Sequence, residues 1–99
     1  MQGYVKIRIE NKDGKVLEHH YVRKSEWGLP AGRIEESEAP KDAAVRELLE
    51  RTGFSIEKNK LSDAGMDGDF HLFTGREQDA AEVAKPGEKG GYLTSIRWA

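Results

Sequence analysis

The sequence predicts an α+β domain in which one helix covers a mixed sheet, and three observations carry that reading. One stretch, Pro40 to Gly53, has helical periodicity and helical punctuation at both ends. Several shorter stretches alternate apolar and polar residues with the period of two that half-buried strands show. The 99 residues contain neither a repeat nor a linker, so these elements form one small domain, 1–99, near the lower size limit for a self-sufficient core.

Taken in order, Tyr4, Val5, Ile7 and Ile9 alternate with Lys6, Arg8 and Glu10 and predict a first strand. Asn11-Lys12-Asp13-Gly14 reads as a tight turn, because Asp-Gly accepts the positive φ that hairpins require. Lys15 to Arg23, with Val16, Leu17, Tyr21 and Val22, then returns as the second strand of an opening hairpin. Trp27-Gly28-Leu29-Pro30-Ala31-Gly32 is too rich in Gly and Pro for a regular element and reads as a structured loop. Pro40 suits the first position of a helix and Gly53 its C-terminal cap, while Ala39 offers no side-chain oxygen to cap the start. Ala44, Val45, Leu48, Leu49 and Thr52 form the apolar side of this helix; Glu47, Glu50 and Arg51 are expected on the opposite side. Phe54 to Leu61 reads as a strand with Phe54 and Ile56 inward, and Asp69 to Thr74 as another. Gln78 to Gly91 predicts a long mobile loop with one helical turn near Asp79 to Val83, and Tyr92 to Trp98 a last strand. The expected total is one helix and about five strands.

Composition narrows the function. Sixteen Lys and Arg stand against eighteen Asp and Glu, a net charge of −2, which provides no basic stripe for a nucleic-acid polymer. With no cysteine, disulfides and thiolate metal sites are excluded, and any metal must be held by oxygen or histidine. The supply of carboxylates favours a hard ion, Mg²⁺ or Mn²⁺. No apolar run approaches membrane-spanning length, and Met1-Gln2-Gly3-Tyr4 lacks the pattern of a secretion signal, so the expectation is a cytoplasmic protein without a membrane partner.

The stretch from 32 to 54 carries the functional signal. Gly32 is followed by five residues and Glu38, then by seven residues and Arg46-Glu47, with Leu48, Glu50, Gly53 and Phe54 completing the pattern. This near-complete box resembles the signature of the Nudix (MutT-like) hydrolases, and Trp27 to Ala31 resembles the run that leads into it. Only Arg51 departs, standing where the family has a second acid. The order of elements is similar too: an opening hairpin before the box and strands after it. Family members usually continue into a C-terminal helix on the other face of the sheet, whereas this chain stops at Ala99. The expected fold is therefore a Nudix-like mixed β-sheet with one signature loop-helix and no C-terminal helix. A sheet face left bare predicts a homodimer.

The resemblance implies hydrolysis of the diphosphate linkage in a nucleoside diphosphate joined to another group, with a divalent metal on the helix. It implies that Glu47 is a metal ligand and the base, that Glu50 and the Gly32 carbonyl are further ligands, that Arg46 orients the acids, and that Glu38 fixes the loop or touches metal indirectly. Residues 47 and 50 are one turn apart, so their carboxylates can meet at one ion. Arg33, Arg51 and Trp27 are the candidates for substrate contact. An ordinary account exists for Glu47–Arg51 and Arg46–Glu50, two helix salt bridges worth about 0.3–0.5 kcal/mol each; the spacing from Gly32 to Phe54 outweighs it for Glu47 and Glu50.

Arg51 has two functional readings: it weakens the metal site, which we favour, or it grips substrate phosphate. His19 and His20 are adjacent on a strand and point to opposite faces, which fits surface or substrate-lining residues better than a metal site with His71. Trp27 and Phe70 are large aromatics suited to the core, or to stacking a base. Glu77, Glu82 and Glu88 are candidates for an extra acid from the later loop. The competing reading is a catalytically weakened Nudix-like domain that binds a nucleotide or a protein.

Overall fold

The computed structural model describes residues 3–99. The strands are β1 (Tyr4–Glu10), β2 (Leu17–Tyr21), β3 (Glu26–Gly28), β4 (Ala31–Arg33), β5 (Phe54–Ile56), β6 (Ser62–Asp67), β7 (Phe70–Arg76), β8 (Ala80–Glu82) and β9 (Ile96–Trp98), and the one α-helix is α1 (Pro40–Thr52). They form a four-stranded sheet in the order β4-β1-β7-β6, a three-stranded sheet β3-β2-β9 and a pair β5-β8. β1 and β7 run parallel, with Ile7 opposite Phe73, and the other pairings are antiparallel, so the sheet is mixed as expected.

Alternation along β1 sends Val5, Ile7 and Ile9 inward, each with no exposed surface, to meet Leu17, Ala43, Ala44, Leu48 and Phe73 in the core. Phe54 and Ile56 face inward as their spacing predicts. Lys6, Arg8 and Glu10 lie with Leu72, Thr74 and Arg76 on the outer face, where the Tyr4 and Phe70 rings lie tilted at 5.5 Å and the ammonium of Lys6 sits over Phe70. The face expected to be bare and apolar therefore alternates aromatic and charged groups. No helix among the described residues is long and apolar enough to cross a membrane.

Several elements depart from expectation. The Asn11–Gly14 turn forms, with Gly14 at φ 78° and the Asn11 side chain accepting from Asp13 and Lys15 N–H. Yet β1 and β2 meet only at a Glu10–Val16 bridge before entering different sheets, because β1 takes β4 and β7 as its neighbours. The Trp27–Gly32 loop contains β3 and β4, each long enough for three residues of pairing. The strand after the helix ends at Ile56, and Lys58–Lys60 is a 3-10 turn. β6 is an edge strand with every residue exposed, so it carries no alternation to be read. The 78–91 segment holds β8 and two short 3-10 turns instead of one helical turn, and the final strand is confined to Ile96–Trp98. Phe70 is an outer-face aromatic; the core position belongs to Phe73.

The helix faces also need correction. Ala43, Ala44, Leu48 and Thr52 are buried, while Val45 and Leu49 are only half-buried. Glu47 sits with the buried set at 5% exposure rather than on a solvated side. The reason lies across the interface, in Gly32 of β4.

Candidate active site

The site is built where α1 crosses β4. Pro40 starts the helix behind an extended Ala39 that makes no side-chain cap, as its sequence implies. Gly53 ends it in the left-handed region at φ 81°, donating its N–H to the Leu49 carbonyl, and Thr52 Oγ1 donates to the Leu48 carbonyl at 2.6 Å. The Gly53 cap and a buried Leu48 fix the rotation of the helix, which aims Glu47 at β4. A Cβ at residue 32 would fall 2.0 Å from Oε2 of Glu47, so only glycine leaves room for this carboxylate.

Arg46 is the hub of the charged groups. Its Nε and Nη2 donate to the two carboxylate oxygens of Glu38 at 2.9 Å each, and Nη2 also reaches the Arg33 carbonyl at 2.9 Å. Its Nη1 donates to Glu47 Oε2 and Glu50 Oε1, both at 3.2 Å. The bidentate grip holds the Glu38 carboxyl below the usual glutamate range. Glu38 is presented by a turn in which its backbone N–H donates to the Glu35 carbonyl and its carboxylate accepts from Glu35 N–H. Ser37 in that turn adopts φ 62°, uncommon for a residue with a Cβ, and the bend it makes points Glu38 back at Arg46.

Arg51 approaches Glu47 from the other side. Its Nε donates to Glu47 Oε1 at 3.1 Å, and its Nη1 donates to the Tyr92 hydroxyl at 2.9 Å. Glu47 is therefore a buried carboxylate held between two guanidinium groups, an arrangement that offsets the cost of burying it.

The donor set suits a hard divalent ion. All candidate ligands are oxygens, and carboxylate oxygens of Glu47 and Glu50 already converge on one cationic nitrogen, Arg46 Nη1. Arg51 Nε occupies the second oxygen of Glu47. Among the described residues, no three His, Asp or Glu side chains are grouped to hold a metal; the acids meet arginines rather than one another.

The structure brings Gly32, Glu38, Arg46, Glu47, Glu50 and Arg51 together. Arg33 lies beside them in β4 with an exposed side chain and contributes its carbonyl to Arg46. Trp27 lies elsewhere, in β3, where it packs on His20 and under Arg97. His71 is remote, its Nε2 2.8 Å from Asp63 Oδ1 on the sheet edge. Of the later-loop acids, Glu77 is exposed in a 3-10 turn and Glu82 is exposed in β8, paired with β5. Glu88 is exposed and accepts from Lys85 N–H, although Gly90 in the same turn packs beside Glu50. His20 is half-buried and His19 is buried at 1% exposure, so the opposite-face expectation holds and the surface expectation fails for His19. Its core position against Tyr21, with ring centroids 4.0 Å apart, explains the burial.

Sequence reasoning did not find Tyr92. The signal available was weak: a single aromatic hydroxyl after a glycine-rich run, with nothing to tie it to Arg51.

A family model described as the NUDIX domain matches residues 3–98. A Bacillus subtilis relative provisionally named 8-oxo-dGTP diphosphatase is 52% identical over 81 residues, covering 73% of this chain and 48% of that protein. The m7GpppN-mRNA hydrolase dcap-2 of Caenorhabditis elegans is 41% identical over 54 residues, 54% of this chain and 7% of that protein. The chain thus spans less than half the length of these curated relatives. A solved structure of MutT, from Aliivibrio salmonicida or Vibrio cholerae, superposes with a TM-score of 0.70 at 19% identity, covering 99% of this chain and 78% of that one, a likeness of fold.

Proposed function

This chain belongs to the NUDIX family, and from that premise we propose that it hydrolyses the diphosphate linkage of a nucleoside diphosphate derivative with the help of Mg²⁺ or Mn²⁺. The observation that carries the reading is the Glu47 carboxylate seated in the space left by Gly32 and converging with Glu50 on one positive nitrogen. The names of relatives, a diphosphatase and an mRNA cap hydrolase among them, support the same reaction class.

In this reading Glu47, Glu50 and the Gly32 carbonyl would hold the ion, which would supply charge neutralisation on the diphosphate and a more acidic water. Glu47 accepts the proton of the attacking water. Arg46 stays anchored by Glu38 and the Arg33 carbonyl, so it can orient Glu47 and Glu50 without leaving its place. The exposed guanidinium of Arg33 is placed to meet substrate phosphate, a role its bidentate geometry suits. Water attack on one phosphorus breaks the bridging P–O bond and gives a nucleoside monophosphate and a second phosphate-bearing product.

The test is a phosphate-release screen over nucleoside diphosphate derivatives with Mg²⁺ and Mn²⁺, with a phosphatase added to free phosphate from the two monoester products and Glu47→Gln as control. Turnover that vanishes in the variant supports the proposal; silence across the panel with nucleotide still bound supports a binding domain instead. That second reading is favoured by one observation, the Arg51–Glu47 ion pair, which neutralises the acid the chemistry needs. The reading includes a cytoplasmic location, a small-molecule substrate rather than a nucleic-acid polymer, and a homodimer. Light scattering that reports a monomer at high concentration counts against the dimer.

A further inference from the structure

The Arg51 guanidinium is held from two sides. Its Nε donates to Glu47 on the same helix, and its Nη1 donates to the Tyr92 hydroxyl at 2.9 Å, 41 residues further along the chain. An ion pair between helix residues four apart is weak, and alone it leaves an arginine side chain free to sample other rotamers. The contact with Tyr92 is what selects the rotamer that covers Glu47. Although 39% exposed, Tyr92 is firmly seated. Its backbone N–H donates to the Gly87 carbonyl at 3.0 Å, and the Thr94 N–H donates to the Pro86 carbonyl at 3.2 Å, which closes a tight turn over 86–94. Thr94 Oγ1 donates to the His20 carbonyl at 2.8 Å and ties the end of this turn to β2. Gly87 stands at φ 81°, and a Cβ there would fall 2.0 Å from the Tyr92 carbonyl oxygen. A Cβ at Gly90 would lie 3.2 Å from Tyr92 Cε1 and 3.3 Å from the Glu50 carbonyl oxygen, so bare backbone fills the gap between the ring and the last turn of α1.

We propose that Tyr92 is a positioning residue: its hydroxyl, seated by the glycine turn, holds Arg51 on Glu47, and opening of the turn releases that carboxylate. Arg46 keeps the other oxygen of Glu47 in either state, because Glu38 and the Arg33 carbonyl anchor it. Only the Arg51 side of the carboxylate is therefore under the control of Tyr92. The effect on a cation rests on the reading of Glu47 as a metal ligand. The restraint on Arg51 does not, and it is measurable in the metal-free protein.

Tyr92→Phe removes the hydroxyl and keeps the ring, so the turn and the fold are retained. In the metal-free protein the NMR order parameter of the Arg51 Nε–Hε bond should fall from about 0.85 to below about 0.6 in this variant. Gly87→Ala, which displaces the Tyr92 carbonyl without touching α1, should lower it as well. Mn²⁺ affinity, read by water-proton relaxation, should rise about threefold in Tyr92→Phe, and should not rise when the same substitution is added to Arg51→Gln. An unchanged order parameter in Tyr92→Phe overturns the restraint, and an unchanged one in Gly87→Ala overturns the seating of the hydroxyl by the turn. A mobile Arg51 with unaltered Mn²⁺ affinity overturns the link to the cation. An equal gain in the Arg51→Gln background shows that Tyr92 does not act through Arg51. The phosphate-release screen tests the hydrolase reading separately from all of these.

Discussion

Gly32→Ala separates the position of the Glu47 carboxylate from the stability of the fold. The added Cβ would lie 2.0 Å from Oε2, 2.1 Å from Cδ and 2.5 Å from Oε1 of Glu47. Since heavy atoms settle at about 3.5 Å, the carboxylate must retreat by more than roughly 1 Å. Retreat loosens the 3.2 Å bond from Arg46 and the 3.1 Å bond from Arg51. The atoms that clash are the far end of a side chain and not backbone, so β4 keeps its pairing. We expect a stability loss of about 1–2 kcal/mol, from weakened charge-assisted hydrogen bonds partly offset by the lower chain entropy of alanine in a strand. The chemistry should suffer more, because a misplacement of about 1 Å at a reacting group can cost about 100-fold. The assay is calorimetric melting together with kcat/KM on the substrate that the phosphate-release screen identifies. Gly3→Ala serves as the control, since its Cβ meets only Ile34 Cδ1 at 3.9 Å. Turnover within about threefold of the wild type would refute the reasoning, because it would mean that the carboxylate does its work from elsewhere. Global unfolding would refute it as well, by showing that the clash is not absorbed at the side chain.

Three further outcomes are expected. Arg51→Gln should tighten Mn²⁺ binding by about tenfold, the scale of removing one cation beside a partly screened carboxylate, as read by relaxation titration; unchanged affinity would mean that Arg51 does not oppose the ion. His19 has a folded pKa of about 4 against an ordinary 6.5, so protons bind the unfolded chain more tightly and stability falls as pH drops from 6.5 to 4. His19→Leu should remove this contribution of up to about 3 kcal/mol and flatten the melting temperature across that window; a slope equal to the wild type's would show that His19 does not titrate this way. Glu38 has a depressed folded pKa, so its pairing with Arg46 stabilises the fold above the ordinary 4.5 and is lost as pH falls through the folded value. Glu38→Gln should therefore melt below the wild type at pH 7, with the gap closing in acid; a gap that persists in acid would point to packing instead of charge.

The parts that were legible in the sequence share one property, that the information is local. Pro40, Gly53 and the four-residue spacing of Ala44, Leu48 and Thr52 define α1 without reference to anything else, and the acids of the box follow from their spacing on it. What was not legible depends on partners distant in sequence. Glu47 sits in the polar half of any helical projection, yet it is buried because Gly32 leaves a space that no periodicity records. β6 has no buried residue, and its pairing with β7 is interrupted by a bulge between Asp63 and Met66, so nothing alternates. The opening turn is local and was readable, while the neighbours of β1 are not. Tyr92 reaches Arg51 only because the glycine-rich turn at Gly87–Gly91 folds back over the end of α1.

The parallel β1–β7 ladder has a consequence for how the chain reaches this state. Tyr4 pairs with Phe70 and Glu10 with Arg76, so every rung of the central ladder closes a loop of about two thirds of the chain. Loop-closure entropy has to be met before any of these rungs contributes, which places the domain among slower-folding topologies. A nascent chain that has not yet emitted Arg76 carries Val5, Ile7 and Ile9 beside an unpaired edge. For that interval β1 is open to aggregation along the edge that β7 later covers.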